Sequence, residues 1–579
     1  MHLEKVDLRE SKQLMKLPDL SGAEKLKWLY LSGCESLREV QPSVFSKDTL
    51  VTLLLDGCKK LEILVSENHL TSLQNINISS CSSLREFSLS SDLIEELDLS
   101  NTGIEILHPS IGRMSKLWKL DLQGLRLKNL PKEMSCMRSL TELDLSNFNV
   151  VTKSKLEAIF GGLESLKILY LKDCGNLLEL PVNIDSLSSL YKLRLDGSNV
   201  KMLPSSVKNL SSLQILYLDN CKKLGCLPEV PPLIDELHVS NCTSLVKVWN
   251  LKALSKCMKG VEKNISFKSS IKLDAPSLNR ITEDVILTMK SAAFHNTITV
   301  SFGYGCSYNS VHVWLPGCTV PSQFKFRTIG SSSSITIELP RLSKNVGFIY
   351  SVVVSPSFGM EEQDNNIEIR SVYYSESGNR YFISRHDIID VSLDHVLMCY
   401  DHTYHTGNVF EFSVINFSGD LSGSYILKEC GVYPIYCSEF PRLAATINLD
   451  KDLEREIALK LSRMLGSDLN EPTQFESDSI ERYDDDDDER ELGNEIDESV
   501  ERCDEKESTY IQKNQQDSDS NERCSCSSNE CLMGMKTFHP LSQISHVIIL
   551  YCPYANVIKL SRDFLNLKIS NIIMHSIYL

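Results

Sequence analysis

The sequence has no apolar run of the roughly 18 residues that a helix needs to cross a bilayer. The longest candidate, 547–557, is short and is broken by Pro553. No G-x-x-x-x-G-K-[ST] phosphate loop occurs, and neither does a G-x-S-x-G elbow or an H-E-x-x-H pair. These absences leave no motif for nucleotide-driven switching, serine hydrolysis or zinc peptidase chemistry, so the expectation is a protein that is not an enzyme. No signal peptide opens the chain, because Met1-His2-Leu3-Glu4-Lys5 runs straight into patterned sequence. The expected setting is therefore cytoplasmic or nuclear, away from membranes. Excess positive charge is also missing. The net charge is −17, and residues 468–535, with 23 acidic and 6 basic side chains, account for all of it. That balance disfavours direct nucleic-acid binding.

What the sequence does have is a repeat. The frame L-x-x-L-x-L-x-x-C-x-x-L returns every 21 to 26 residues. Copies start at Leu3, Leu26, Leu50, Leu73, Ile94, Leu117, Leu140, Leu166, Leu190, Leu213 and Ile234, about eleven in all. This is the period range of leucine-rich repeats, which stack into a solenoid with one long curved face. Each L-x-x-L-x-L starts a short strand whose alternate leucines point inward. Pro18, Pro131, Pro181, Pro204 and Pro228 fall in the return segments, where no ladder hydrogen bond is lost. The 19 cysteines do not describe a disulfide scaffold, since Cys34, Cys58, Cys81, Cys174, Cys221 and Cys242 all occupy one inward repeat position. Reduced, buried thiols are expected there.

The fold class expected is an α/β leucine-rich-repeat solenoid followed by an all-β sandwich and a disordered acidic tail. The solenoid covers 1–250 and a linker with a helix covers 251–296, with Ile281–Ala293 helical. From about Thr297 short β-rich segments take over, among them 298–302, 335–339, 347–354, 367–374, 409–415 and 432–436. Seven or so strands at this spacing argue for a sandwich over 297–440. An amphipathic helix follows over 450–466, with Asp450 as its N-cap and Leu453, Ile457, Leu461 and Leu465 spaced by four. The acidic stretch 468–535, including Asp484–Asp488, reads as disordered. Residues 536–579 carry no clear period and stay unassigned.

The β-rich segment contains Leu315-Pro-Gly-Cys-Thr-Val-Pro-Ser-Gln-Phe and then Gly330-Ser-Ser-Ser-Ser-Ile-Thr-Ile-Glu-Leu-Pro. Asn345-Val-Gly-Phe, Asp394-His-Val-Leu-Met-Cys-Tyr-Asp and Lys428-Glu-Cys-Gly-Val-Tyr-Pro-Ile-Tyr follow in order. Together with Leu17-Pro-Asp-Leu-Ser near the start, these resemble the C-terminal part of plant TIR-type nucleotide-binding leucine-rich-repeat disease resistance proteins. The resemblance covers roughly 1–440. It implies a C-terminal jelly-roll and Ig-like domain over 297–440 that works with the repeats to bind a pathogen effector or a guarded host protein. It also implies TIR and nucleotide-binding domains that these 579 residues do not contain. The chain therefore reads as a truncated resistance protein, a recognition module that pairs with a full-length receptor for signalling.

The side chains between the second and third apolar positions of each frame are expected on the concave face. That column includes Tyr30, Asp98, Asp121, Asp144, Tyr170, Arg194, Tyr217 and His238. Trp28, Ile168 and Ile215 lie beside it, so two aromatic and apolar clusters flank an acidic centre. Exposed tyrosine and tryptophan give large contact area at low entropic cost. The same wording is also ordinary for such repeats.

No cofactor and no metal are expected. Cys399, Asp401, His402 and His405 suggest a metal cluster, but alternation puts His402 opposite Cys399 and Asp401, so a strand edge and turn is the preferred reading. Cys524, Cys526, Cys531 and His539 match no common zinc spacing. Glu95-Glu96 reads as a solvated pair on a repeat surface. The formal glycosylation sites at Asn209 and Asn241 carry little weight without a secretory signal. An alternative function is an acidic-tailed adaptor that binds basic proteins such as histones through Asp484–Asp488.

Overall fold

A computed structural model describes residues 3–464, apart from 47, 149, 259–261, 300–307, 333, 340–344, 358–366, 375–377, 379, 389–392, 402–408 and 417–424. Residues 465–579, which include the acidic stretch and Leu465, lie outside the described residues.

Each repeat contributes a three-residue strand, from Lys5–Asp7 through Glu236–His238. Nine of these strands bury an inward leucine, and Leu29, Leu53, Leu120, Leu143, Leu169, Leu193, Leu216 and Leu237 have no exposed surface; Val6 and Ile76 hold the place in the other two and are half-buried. All six repeat cysteines are likewise fully buried and free. Each thiol also has a polar task. Cys34 Sγ donates to the carbonyl of Leu8 at 3.1 Å, Cys58 to Leu31 at 3.2 Å and Cys81 to Leu55 at 3.1 Å. Cys174, Cys221 and Cys242 repeat this with Leu145, Leu195 and Leu218. The thiol is thus chosen as a small apolar group that can still satisfy a buried carbonyl of the preceding repeat.

The residue before the cysteine turns the chain through the left-handed region. Gly33 holds φ +74°, and a Cβ there would meet the Glu10 carboxylate at 2.4 Å. Asn220 and Asn241 occupy the same place at φ 61° and 57°, a conformation asparagine tolerates better than most residues.

The repeat strands form two parallel sheets. Lys5–Asp7, Trp28–Tyr30, Thr52–Leu54 and Asn75–Asn77 make the first. A second begins at Glu96–Asp98 and continues strand by strand to Glu236–His238. It does not stop there. Glu262–Ser266 pairs in parallel with Glu236–His238, and Ser310–Pro316 pairs in parallel with Glu262–Ser266. His395–Tyr400 then joins antiparallel, followed by Asn345–Pro356, Tyr425–Tyr436 and Phe326–Ser332. The result is one thirteen-stranded sheet that passes from the repeats into the β-rich segment.

A four-stranded sheet, in the order Ser334–Glu338, Val409–Asn416, Ile367–Tyr374 and Arg380–Asp387, packs against the antiparallel end. Phe348 meets Phe410 edge to face, with ring centroids 5.1 Å apart, and Tyr350 meets Phe412 at 5.6 Å. These rings belong to a buried core between the two sheets that also holds Val352, Ile369, Leu397, Leu427 and Val432.

Three features depart from the sequence reading. The stretch read as a linker, 251–296, contains the strand Glu262–Ser266, which extends the repeat sheet. The strand expected at 298–302 is not one at its start: Ile298 and Thr299 end a 25-residue helix, Ala275–Thr299. Burial of Ile281, Val285, Met289 and Phe294 against the core outweighs the local β propensity of Ile298 and Thr299. A further helix, Phe440–Ile447, precedes the expected one and ends at Asn448 in the left-handed region.

The C-terminal amphipathic helix runs Lys451–Met464. Asp450 Oδ1 accepts from the backbone N–H of Asp452 and Leu453, at 3.1 and 3.2 Å. Its Ile457 and Leu461 are buried. Among the described residues, no helix is long and apolar enough to cross a membrane.

Candidate functional site

Parallel register makes a row of the residues singled out in the sequence. Asp98 pairs with Asp121, Asp121 with Asp144, and Asp144 with Tyr170. Tyr170 pairs with Arg194, Arg194 with Tyr217, and Tyr217 with His238. Ile168 and Ile215 lie two residues before Tyr170 and Tyr217, half-buried in the neighbouring row. Trp28 and Tyr30 stand apart from these, in the N-terminal sheet. Lys27 Nζ sits 5.6 Å from the Trp28 ring, and Lys5 Nζ sits 4.6 Å from the Tyr30 ring.

The acidic centre is electrostatically strained. Burial, together with the neighbouring Asp144 and Asp98, raises the carboxyl of Asp121 above its ordinary range. The backbone N–H of Gln123, 2.9 Å from Oδ1, and Lys119 offset only part of this. Lys119 is itself engaged by Glu142 at 3.0 Å.

The C-terminal end of the row is a stack. The Arg194 guanidinium lies 4.5 Å from the centre of the Tyr217 ring, and the His238 ring lies against Tyr217 at 4.4 Å and 11°. The Tyr217 hydroxyl donates to Glu236 Oε2 at 2.5 Å. Burial and that bond push the phenol well up, so it stays protonated. Burial holds His238 below its ordinary range, against Asp219 and Glu236 nearby. This end of the row is thus a pre-ordered aromatic and cationic surface rather than a set of loose side chains.

The stack forms one wall of a cleft of about 900 Å³. Tyr217 and His238 line it from the repeats, and Glu262, Lys268, Trp314 and Arg385 line it from the last strand and the β-rich segment. Lys268 Nζ lies 4.3 Å from the Trp314 ring.

At the base of the cleft is a polar cluster that the sequence reading did not assemble. His312 Nδ1 lies 3.0 Å from Glu262 Oε1 and 3.3 Å from Asn264 Oδ1. Its Nε2 lies 2.7 Å from Asp401 Oδ1. The Tyr350 hydroxyl donates to Asp401 Oδ2, shares a hydrogen bond with Ser384 Oγ, and lies 3.3 Å from His386 Nε2. Cys399 Sγ is 3.3 Å from the same nitrogen. Burial opposes a charge on His312, but the bonds to Asp401 and then Glu262 outweigh it and raise the imidazole to about 9. Burial and the charged His312 beside it hold His386 down to about 4, so that ring is neutral.

In the sequence, Asp401 and Cys399 stand near His402 and His405, and a strand edge and turn is the reading preferred there. His402 and His405 lie outside the described residues, while His312 and His386 arrive from other strands. The available signal was a histidine set among β-branched and aromatic residues, Val311-His-Val-Trp, where a buried polar group needs a partner. The candidates Cys524, Cys526, Cys531 and His539 also lie outside the described residues.

Fold and face together define a leucine-rich-repeat protein whose concave sheet is continued by a β-rich unit. No family model matches the chain. The chain is homologous to TIR-type nucleotide-binding leucine-rich-repeat disease resistance proteins of plants. It is 30% identical to TMV resistance protein N of Nicotiana glutinosa over 41% of this chain and 25% of that protein. It is 35% identical to the protein SUPPRESSOR OF npr1-1, CONSTITUTIVE 1 of Arabidopsis thaliana over 74% of this chain and 28% of that protein. Disease resistance protein RPS4 of Arabidopsis thaliana is 27% identical over 81% of this chain and 39% of its own length. The chain thus spans between a quarter and two fifths of the length of these relatives.

Proposed function

We propose that this chain is a non-catalytic recognition module of plant innate immunity that works in the cytoplasm or nucleus. It binds a protein, either a pathogen effector or a guarded host protein, along the concave row from Asp98 to His238 and in the cleft beyond. On this reading the β-rich unit is the jelly-roll and Ig-like domain that the sequence motifs resemble, and a full-length receptor supplies signalling.

The observation that carries the reading is the in-register row ending in the Arg194, Tyr217 and His238 stack. These side chains are held in place by one another and by Glu236, so little ordering entropy is lost on contact. Aromatic and arginine anchors of this kind dominate protein interfaces. Homology to disease resistance proteins supports an immune role for what is bound.

The test is quantitative binding of purified chain to a panel of candidate effectors and host proteins. Tyr170→Ala, Tyr217→Ala and Arg194→Ala are expected to weaken the interaction roughly 10- to 100-fold. Removal of 468–535 is expected to leave it intact, and added salt to change it little. Binding that survives all three substitutions, collapses with salt and disappears with the acidic stretch would instead establish the adaptor for basic proteins.

A further inference from the structure

We propose that His312, His386 and Asp401 form a binding site for one divalent transition-metal ion, completed by Cys399 beside His386, with zinc the ion this donor set suits best. The site lies where the last repeat strand meets both sheets of the β-rich unit.

The geometry carries this in three ways. First, the donors converge. One ligand atom each from His312, His386 and Asp401 falls within 4.8 Å of the others. Cys399 Sγ stands 3.3 Å from His386 Nε2. The thiol lies outside that group of three and must move inward to complete it; two imidazole nitrogens, a carboxylate and a thiol then make a zinc donor set, and ligand atoms on a tetrahedral zinc lie roughly 3.3–3.8 Å apart. The 2.7 Å pair of His312 and Asp401 is tighter than that, because a proton now joins it. On metal binding the His312 Nε2–H and the Cys399 S–H protons leave to solvent, and the pair opens by roughly 0.6 Å.

Second, an outer ring of partners is already in place. A metal-bound imidazole characteristically donates its other N–H to a carboxylate, and His312 Nδ1 faces Glu262 Oε1 at 3.0 Å. The Tyr350 hydroxyl holds Asp401 Oδ2 and so leaves Oδ1 to the centre of the group. Ser384 Oγ fixes that hydroxyl in turn. Such outer contacts orient ligands and set tautomers.

Third, the donors are sheltered yet reachable. Cys399 is fully buried and His386 keeps 9% of its surface. His312 and His386 both line the cleft, which gives an ion a way in from solvent.

The consequence is structural. Cys399 belongs to strand His395–Tyr400 and Asp401 directly follows it, while His312 belongs to Ser310–Pro316 and His386 to Arg380–Asp387. The first two strands lie in the long sheet and the third in the four-stranded sheet. An ion here would staple the two sheets together, and Glu262 would tie the staple to the last repeat strand.

The experiment uses tag-free full-length chain, dialysed against metal-free buffer and then loaded with zinc or cobalt. Metal is counted by mass spectrometry, and the cobalt form is read by visible absorption. A parallel chain carrying Cys524→Ser, Cys526→Ser and Cys531→Ser removes the clustered thiols of the acidic stretch as a competing zinc site. The expected result is about one equivalent retained by both chains. Cobalt should give tetrahedral bands plus a thiolate charge-transfer band, and Cys399→Ser should remove only the latter. Asp401→Asn and His386→Gln are expected to lose the ion, whereas His238→Gln, in the same cleft, should keep it. A rise in Tm on adding zinc to unmutated chain gives a reading that does not depend on how the variants fold. A folded chain that retains less than about a tenth of an equivalent, with cobalt remaining octahedral, overturns the site. So does an ion lost with Cys524, Cys526 and Cys531 but kept in Asp401→Asn.

Discussion

Ile265 and Val313 face each other on adjacent parallel strands, both buried, and at this pair the repeat array becomes the β-rich unit. The junction is therefore a backbone ladder and not a tether. Next to it Lys263 is buried, with Nζ 2.7 Å from the carbonyl of Ile234 and 2.8 Å from Asp235 Oδ1.

Lys263→Met should destabilise the chain by about 1–3 kcal/mol, because a buried carbonyl loses its donor and Asp235 its counter-charge. Asp235 keeps a fifth of its surface, so the loss stays below that of a fully buried pair. Chemical denaturation with tryptophan emission measures it, and Trp314 reports from the junction. A change within 0.5 kcal/mol of zero would contradict a structural role for this ammonium.

Leu169→Ala should cost about 2–5 kcal/mol, since Leu169 is fully buried between Leu143 and Leu193. In a stacked array the loss concentrates in the adjoining repeats. Hydrogen exchange should speed up around 140–195 and stay unchanged near Trp28–Tyr30. Uniform acceleration, or none near Leu143 and Leu193, would refute the register.

Alkylation mapped by mass spectrometry should label Cys136 and Cys318 in the native chain and spare Cys58, Cys174, Cys221 and Cys242. Burial pushes the thiols of Cys174 and Cys242 up to about 12, so raising the pH to 9 should not release them. Labelling of either before denaturant is added would show that the interior of the solenoid is open.

Asp121→Asn should stabilise the fold at pH 7. The carboxyl of Asp121 is raised in the folded state, so its ionised form opposes folding and its protonated form does not. The gain must therefore be full above the raised folded value and fade as pH falls through it towards the unfolded one. The amide oxygen can still accept from Gln123, which keeps the turn intact. Melting temperatures of both chains at pH 7 and pH 3.5 decide this; a larger gain at the lower pH would mean that the folded state does not oppose ionisation of Asp121.

The solenoid was legible because each inward position is written again in every repeat, and a leucine or cysteine there has one destination. Glu262–Ser266 escaped because Glu262 stands where the frame expects leucine, leaving only Ile265 and Phe267 at frame positions. The row from Asp98 to His238 could be read from the same frame, since parallel pairing without slips aligns equal positions. The cluster under the cleft could not. Glu262, His312, His386 and Asp401 come from widely separated segments, and only the crossing between the two sheets brings them to one place. Asp401 and Cys399 were visible, but strand alternation says nothing of which strand lies opposite.

The long sheet also has a gap. Its strands are bonded without a break from Glu96–Asp98 onward, while Asn75–Asn77 belongs to a separate sheet. On this face, the ladder that carries Trp28 and Tyr30 is therefore separate from the one that carries Tyr217. A second ladder, Ile63–Leu64, Glu86–Phe87 and Ile106–Leu107, spans the same gap, so a bend there would strain that ladder and not the one under the row. The spacing between the two aromatic ends of the face is thus held by that second ladder and by the leucine core that runs through every repeat.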